Sequence, residues 1–219
     1  MSGISIIVPC FHNNIKNFSN TQRCIESIRA NTSLSYQLII VENLQRWMSG
    51  EGQTYVGLSQ PHTYAQNVNM GLKLSSGDYV VVLNNDACVS CGWLEAMLDC
   101  FKKEDCGVAT LDSTQFGREP KDEIVEKFFG AVWMVKRDVL VNIGLMDEQF
   151  VHAFDDADYW VRVYQAGYRI YMNRKVMVDH KGGATIYGFD GHDERFASMR
   201  KLFNRKHKGC TIDIFQKLR

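Results

Sequence analysis

Residues 75–98 read SSGDYVVVLNNDACVSCGWLEAML, and this stretch decides the fold of the chain. The apolar run Tyr79 to Leu83 has the length of a buried strand and ends abruptly in Asn84, Asn85 and Asp86. A helical pattern of apolar residues follows. In an open α/β sheet, ligands bind outside the carboxyl ends of the strands, so this polar triplet is the first candidate for a functional site.

The sequence before this stretch alternates apolar runs with helical patterns, which predicts βαβ units and a largely parallel sheet. We expect strands at 4–10, 38–41 and 55–58, and helices at 20–30 and 63–74. The polar residues that end the first two strands are further site candidates: Pro9, Cys10, Phe11, Glu42 and Asn43.

The sequence after residue 98 is less regular but stays within the α/β class. Strands are predicted at 107–111, 128–135, 168–172 and 176–179, and helices at 138–143, 158–166 and 193–208. The polar segment Asp112 to Lys127 predicts a surface loop. We find no internal repeat and expect a single domain over residues 1–219.

The composition excludes a strong overall electrostatic field. The 25 Lys and Arg residues balance the 25 Asp and Glu residues, which argues against a nucleic-acid partner without excluding one. Only the segment MRKLFNRKHK, residues 199–208, is basic enough for phospholipid or phosphate, and its alternative is a solvated helix face.

The pattern of apolar and cysteine residues predicts where the protein works. No apolar run approaches the roughly 20 residues of a membrane span, so no transmembrane segment is expected, and no signal peptide is visible. Most of the seven cysteines lie in predicted strands or helices, where a reduced thiol packs as an apolar group. We therefore expect a cytoplasmic protein, with peripheral attachment to a membrane as the alternative.

Two residues at strand ends suit a divalent cation. A carboxylate directly after a buried strand, such as Asp86, is unfavourable unless a cation or hydrogen-bond donors await it. Mg²⁺ and Mn²⁺ accept such oxygens and can share them with a diphosphate. His180 ends another predicted strand, and its imidazole suits Mn²⁺ better than Mg²⁺. The alternatives are a helix cap for Asp86 and a structural hydrogen bond for His180.

Several segments, in the same order, resemble family 2 glycosyltransferases. Residues 75–98 look like the region of that family's DXD motif, with Asn84, Asn85 and Asp86 in its place. ISIIVPCFHN, residues 4–13, resembles the first strand of the family, and VEN, residues 41–43, resembles the second.

The resemblance continues into the second half of the chain and covers roughly residues 4–183. YAQNVNMGLKLSSGD, residues 64–78, is similar to the family's helix with an Asn before Gly, which falls on Asn69. Residues 130–170, beginning at Gly130, resemble the acceptor-side block, in which an acidic pair precedes a helix. The implied fold is one GT-A domain, a nucleotide-diphospho-sugar transferase fold with a mostly parallel twisted sheet flanked by helices.

The resemblance implies a role for each matching residue. The catalytic base falls on Asp156, with Asp155 beside it, and the metal, Mn²⁺ or Mg²⁺, falls on Asp86 and His180. A helix-capping role is the alternative for the acidic residues here, above all Asp155 and Asp158. Substrate binding is implied for a wider set of residues: Pro9, Cys10, Phe11, Glu42, Asn69, Asn84, Asn85, Asp86, Gly130 and Asp155.

The implied activity is transfer of a hexose, with inversion, from a nucleoside-diphosphate sugar to an acceptor hydroxyl. Residues 1–86 would form the nucleotide-sugar half, residues 87–192 the acceptor half and residues 193–219 a basic tail. A UDP- or dTDP-sugar is the first expectation for the donor, and a GDP-sugar the second, because Glu42 stands where the family carries Asp. The acceptor stays open among a glycan, a lipid-linked sugar, a protein or another hydroxyl. A non-catalytic nucleotide-sugar-binding module and a nucleotidyltransferase are the competing functions.

Overall fold

Apolar residues cover both faces of the central strands because helices pack on each side of the sheet. The computed structural model describes residues 3–11, 15–43, 52–58, 60, 62–151, 153–180 and 192–210. The strands are β1 Ile4–Phe11, β2 Tyr36–Asn43, β3 Gln53–Leu58, β4 Tyr79–Leu83, β5 Ala87–Cys88, β6 Cys106–Ser113, β7 Ile124–Val125, β8 Val132–Lys136 and β9 Arg169–His180. The helices are α1 Ile15–Asn31, α2 Tyr64–Leu74, α3 Trp93–Cys100, α4 Arg137–Ile143, α5 Asp155–Gln165 and α6 His192–Lys206.

The strands lie in the order β3-β2-β1-β4-β8-β6-β9-β5, and β7 pairs with β9. Strands β3, β2, β1 and β4 are parallel to one another, whereas β8 is antiparallel to both β4 and β6. The predicted α/β class is therefore confirmed, with antiparallel strands added in the second half. The carboxyl ends of β1, β2 and β4 meet at one edge of the sheet, which is where the candidate site lies.

Alternate residues of each central strand contribute to two apolar cores on opposite faces. Ile7, Ile39 and Val82 face one core, and their neighbours face the other. Helix α2 packs so closely on β1 that a Cβ atom added at Gly71 would come within 2.3 Å of the Ile7 side chain. A larger residue at position 71 would therefore push α2 away from the sheet.

Several element boundaries differ from the sequence-based predictions. The predicted loop 112–127 instead contains the end of β6, a 3-10 turn at Thr114–Phe116 and strand β7. The two strands predicted at 168–172 and 176–179 are one strand, β9. Its pairing with β6 is irregular in the middle, because Leu111 pairs with Asn173 whereas the next residue, Asp112, pairs with Met177. The strand predicted at 128–135 begins only at Val132. Strand β5 was not predicted because two residues carry no periodic signal.

The helix predicted to begin at Asp158 begins at Asp155 instead. Phe154 precedes it in the left-handed conformation, with φ of 62°, which is uncommon for a residue with a side chain. The first turn of α5 therefore contains Asp155, Asp156 and Asp158. Carboxylates are favourable at this end because the helix dipole is positive there.

Helix α6 is attached to α5 through the buried carboxylate of Asp158. This side chain is fully buried and accepts hydrogen bonds from Arg162, at 3.0 Å, and from His207, at 2.8 Å, while Lys206 Nζ lies 2.7 Å away. The basic C-terminal segment thus supplies charge to the inside of the protein. In the described part of the chain, no helix has the length and apolar character needed to cross a membrane.

We expect Asp158→Asn to lower the free energy of unfolding by about 3 kcal/mol, because it removes the buried negative charge that pairs with Arg162 and Lys206. Urea unfolding followed by circular dichroism measures the loss. The matched control is Asp122→Asn, whose exposed carboxylate lies 3.7 Å from Lys175 and should contribute less than about 1 kcal/mol. Equal losses in the two variants would contradict the role of Asp158.

Candidate active site

The polar triplet after β4 forms a tight turn at the carboxyl edge of the sheet. The backbone N–H of Asn84 donates to the carbonyl of Ala131 at 2.8 Å, and the N–H of Ala87 donates to the carbonyl of Asn84 at 3.0 Å. Strand β5 then pairs antiparallel with the end of β9, so that Ala87 lies opposite His180. This pairing brings Asp86 and His180, 94 positions apart in the sequence numbering, into contact.

Asp86 and His180 face each other across the turn. Asp86 Oδ1 lies 3.2 Å from His180 Nε2, and the two side chains are only 10% and 9% exposed. The other ring nitrogen, Nδ1, lies 2.9 Å from Gln115 Oε1. The ring can present either an N–H or a lone pair at Nε2: the N–H would donate to Asp86, and the lone pair, with Nδ1–H donating to Gln115, would be free to bind a cation.

In the acidic pair at the start of α5, Asp155 is buried and Asp156 is partly exposed. Asp156 Oδ1 accepts from the N–H of Ala157 at 2.7 Å, which satisfies one free amide of the helix end. Asp156 Oδ2 lies against Gly130, where an added Cβ would come within 2.8 Å of it. Gly130 therefore leaves room for the Asp156 carboxylate.

Burial changes the protonation of this pair. Burial first, and the charge of Asp156 second, raise the pKa of Asp155 from 3.8 to about 7. Burial also raises the pKa of Asp156 above its usual range. Asp158, by contrast, contacts Arg162 of α5 and, from the C-terminal segment, Lys206 and His207.

Tyr64, which sequence reasoning did not select, connects the two acidic groups. Its hydroxyl donates to Asn84 Oδ1 at 3.0 Å. Burial raises the pKa of Tyr64 well above its usual value, and the charges of Asp155, Asp156 and Asp86 raise it further. Electrostatic effects of this kind require the three carboxylates to lie near the phenol. The structure thus brings Asp86 and the acidic pair to one site.

The predicted nucleotide-binding residues lie at the ends of β1 and β2. Glu42 is fully buried and accepts from the Tyr55 hydroxyl at 2.6 Å. Pro9 and Cys10 are buried in β1, so that Cys10 packs in the core, and the side chain of Phe11 lies outside the described residues. Contact of Cys10 with a ligand would therefore have to involve its backbone. The binding roles of these residues stay predictions.

Two other predicted substrate-binding residues contact the protein itself. Asn69 is buried, with its amide bonded to the N–H and the carbonyl of Met146, each at 2.9 Å. Asn85 Nδ2 donates to Thr21 Oγ1 of α1 at 2.8 Å. Asn69 therefore ties α2 to the segment before α5, and Asn85 ties the turn to α1. Their proposed contacts with substrate stay predictions.

The fit of a metal rests on Asp86 and His180 alone. Among the described residues, no group of three or more His, Cys, Asp or Glu side chains could hold a metal ion. A carboxylate and an imidazole with converging lone pairs nevertheless fit a divalent ion that takes its other ligands from a diphosphate or water. Gln115 would then fix the orientation of the imidazole by accepting from its Nδ1–H, as hydrogen-bond partners of metal-ligating histidines do.

Residues 5–177 match the family described as Glycosyl transferase family 2. The chain belongs to this family. The α/β architecture is that of the GT-A glycosyltransferases, as the resemblance implied. No curated protein sequence matches the chain closely enough to add to this assignment.

Three solved structures have a fold similar to that of this chain. Mannosyltransferase PcManGT from Pyrobaculum calidifontis, in complex with GDP-Man and Mn²⁺, has a TM-score of 0.71 and 14% identity, covering 97% of this chain and 66% of its own. S. aureus TarS 1-349 has a TM-score of 0.68 and 12% identity, with 98% and 68% coverage. GalNAc-T7 with UDP, GalNAc and Mn²⁺ has a TM-score of 0.66 and 11% identity, with 82% and 44% coverage. The chain thus spans less than half of GalNAc-T7.

Sequence reasoning missed Tyr64 and Gln115 for a common reason. Tyr64 begins a helix, and Gln115 lies in the segment predicted as a loop. Neither directly follows a predicted strand, and polar strand ends are the signal in the sequence that indicates candidate site residues. A capping box between Thr63 and Gln66 does place the start of α2, and with it Tyr64, but it carries no sign of function.

We expect Asp155→Asn to stabilise the protein progressively as the pH rises from about 4 to about 8. The pKa of Asp155 is 3.8 ordinarily and about 7 when folded, so the unfolded chain loses this proton first and the wild-type protein loses stability with rising pH. Asparagine does not ionise, so the gain in free energy of unfolding should be small at pH 4 and on the order of 2 kcal/mol at pH 8. Urea unfolding at both values measures it.

The control for this experiment is Asp99→Asn, which removes a surface carboxylate that pairs with Lys102. Its effect on the free energy of unfolding should be the same at pH 4 and at pH 8. A difference between wild type and Asp155→Asn that does not change with pH would show that this carboxyl does not titrate abnormally.

Proposed function

We propose that this chain is an inverting glycosyltransferase that moves a sugar from a nucleoside diphosphate to an acceptor hydroxyl. The observation that carries the proposal is the placement of two separate acidic groups at one site. Asp86 with His180 forms one group, the Asp155 and Asp156 pair forms the other, and both act on the Tyr64 hydroxyl. Inverting transfer needs such a division, because the leaving group and the attacking hydroxyl lie on opposite sides of the sugar.

Asp156 is the proposed base. In the reaction, the acceptor oxygen bonds to the anomeric carbon while its proton passes to the carboxylate and the bond to the nucleoside diphosphate breaks. A raised pKa suits this role, because a carboxylate accepts a proton better as its pKa approaches the working pH. Oδ1 is already bonded to the N–H of Ala157, so Oδ2 is the oxygen that would take the proton.

Asp86 and His180 are the proposed metal ligands, with Mn²⁺ or Mg²⁺ as the ion. A bound divalent ion would neutralise the charge that grows on the diphosphate as the glycosidic bond breaks. The two residues hold their side chains ready through the β5 to β9 pairing and through Gln115. Both PcManGT and GalNAc-T7 were crystallised with Mn²⁺, which supports this choice.

Glu42 is the proposed contact for the nucleobase. Its buried carboxylate at the end of β2 can accept an N–H of uracil or thymine, and guanine also offers N–H donors. The donor is therefore a UDP- or dTDP-sugar, with a GDP-sugar as the alternative. GalNAc-T7 bears UDP and PcManGT bears GDP-Man in their structures, so the fold accommodates both bases. The acceptor could be a glycan, a lipid-linked sugar, a protein or another hydroxyl compound.

A non-catalytic module explains the site less well. Two adjacent carboxylates with raised pKa values destabilise the folded protein at neutral pH, and a module that only binds nucleotide has no need of them. A nucleotidyltransferase would need a Gly-rich basic loop after β1, and the sequence PCFHNNIKN offers none. We therefore favour transfer of a sugar. A cytoplasmic location remains part of the proposal on the strength of the buried thiols of Cys10, Cys24, Cys100 and Cys106.

We expect a thermal-shift screen to identify the donor. UDP-, dTDP- and GDP-sugars are tested with and without Mn²⁺, because a ligand at 100 times its Kd adds about 2.7 kcal/mol of stability. One nucleotide should raise the melting temperature, and Mn²⁺ should increase the shift. Asp86→Asn should remove the Mn²⁺ increment, whereas the control Asp99→Asn should keep it. No shift with any nucleotide would contradict the proposal.

We expect Asp156→Asn to lower donor turnover by at least about a hundredfold while leaving donor affinity within about twofold, since an amide cannot take the proton. Released nucleoside diphosphate is measured over time with the donor found above, with water as the acceptor. Wild-type turnover in Asp156→Asn would show that the base lies elsewhere. The control is Asp99→Asn, which changes a surface carboxylate. Asp158→Glu would not serve as a control, because Asp158 forms an ion pair with α6.

A further inference from the structure

Three rings in contact, Phe116, Phe129 and His180, form an aromatic row that leads from the protein surface to the candidate site. The Phe116 and Phe129 ring centroids lie 5.6 Å apart, and those of Phe129 and His180 lie 5.5 Å apart. Both contacts are edge-to-face, with 74° between the ring planes, which is a favourable arrangement for aromatic pairs. His180 is a proposed metal ligand, so Phe116 lies only two ring contacts away from it.

The inner part of the aromatic row also lies next to the acidic pair. Phe129 directly precedes Gly130, the residue that leaves room for the Asp156 carboxylate. The backbone at this point is held by the buried hydroxyl of Thr110, which lies 2.9 Å from the carbonyl of Phe129 and 2.7 Å from that of Val132. Phe129 therefore connects the proposed metal ligand to the proposed base. An acceptor whose hydroxyl approaches Asp156 has the aromatic row beside it.

The outer ring, Phe116, is held in an exposed position by the turn that contains it. Its side chain is 43% exposed, although β6 ends only three residues earlier. Ser113 Oγ accepts from the N–H of Gln115 at 3.3 Å, and Gly117 ends the turn with φ of 61°, which glycine adopts without strain. An isolated exposed apolar side chain is common on protein surfaces, but this one is continuous with the candidate site.

Arg118 adds directed hydrogen-bond donors beside the exposed ring. Its guanidinium carbon lies 4.7 Å from the centre of the Phe116 ring. Nη1 donates to Asp112 Oδ1 at 3.2 Å, and Arg174 donates to the other oxygen of the same carboxylate at 2.9 Å. Asp112 is fully buried, so it fixes the orientation of the Arg118 guanidinium. Among the described residues, the other N–H groups of Arg118 donate to no protein atom.

We propose that Phe116 and Arg118 form the acceptor subsite, in which the apolar C–H face of a sugar ring packs on the phenyl ring and the sugar hydroxyls accept from the guanidinium. An aromatic surface with a few directed polar groups is the ordinary composition of a small-ligand site, and a pyranose offers a complementary apolar face and hydroxyl rim. The subsite rests on the proposed function. It selects a glycan among the possible acceptors, because a peptide hydroxyl or a simple alcohol has no such face.

The test titrates the methyl glycosides of glucose, galactose, mannose and N-acetylglucosamine into the protein, with UDP or GDP and Mn²⁺ present, and measures their Kd by saturation-transfer NMR. At least one glycoside should bind wild type. For that glycoside, Phe116→Ala should weaken binding about tenfold and Phe116→Leu about threefold, whereas Phe116→Trp, which keeps a flat ring, should stay within about twofold of wild type. Arg118→Gln should weaken binding about fivefold through the lost donors.

The matched control is Leu74→Ala, which removes an equally exposed apolar side chain at the opposite edge of the sheet, where the Leu74 carbonyl accepts from Gln37. Its affinity for the glycoside should equal that of wild type. Release of nucleoside diphosphate, with water or with the glycoside as acceptor, separates a binding role from a structural one. Phe116→Ala should raise the KM for the glycoside more than it changes release to water, whereas displacement of His180 would lower both rates equally.

The outcomes distinguish this inference from the proposed function. Equal glycoside affinity in Phe116→Ala and wild type would overturn the subsite, as would equal losses of release to water and to glycoside. Failure of all four glycosides to bind, or transfer only to glycerol or to a serine-containing peptide, would overturn it as well. If wild type releases no nucleoside diphosphate from any donor, the proposed function fails, and the NMR titration still decides whether Phe116 binds a sugar.

Discussion

The ion pairs around Asp158 hold the acidic end of α5 in place, and the candidate site depends on them. A buried carboxylate is stable only with partners, and Asp158 has Arg162, Lys206 and His207. Two of these partners come from the C-terminal segment, so docking of that segment also fixes the first turn of α5. Asp155 lies three residues earlier in the same turn without such support. One helix end thus combines a neutralised carboxylate with an uncompensated pair.

The acidic pair at the start of α5 and the Asp86 to His180 contact are the two groups of ionisable side chains at the site. Burial raises the pKa of Asp155 to about 7, and Asp86 lies 3.2 Å from an imidazole nitrogen. A carboxyl with a raised pKa can exchange a proton near neutral pH, and a carboxylate beside an imidazole can hold a cation. Perturbed ionisable groups concentrate at functional sites because binding and catalysis use them.

The sequence carried the order of the elements and much of the site because local signals were strong. The apolar run before Asn84 and the helix after it predict β4 and α3 directly, and the match over residues 5–177 confirms the family that the motifs indicated. The long strand β9 was read as two because the irregularity after Asn173 interrupts the apolar pattern. The start of α5 was missed because a phenylalanine with positive φ precedes it, and residue type does not predict that conformation.

The sequence by itself therefore determined the fold class, the family, and the residues that end the strands, since apolar periodicity and polar strand ends are properties of neighbouring positions. Only the tertiary structure decided how distant residues meet. The pairing of β5 with β9 sets His180 against Asp86, and the position of α2 sets Tyr64 against Asn84 at the end of β4. These contacts depend on strand order and on the directions of hydrogen-bond donors. Neither is encoded in the spacing of residues along the chain, because both arise when separate elements pack together.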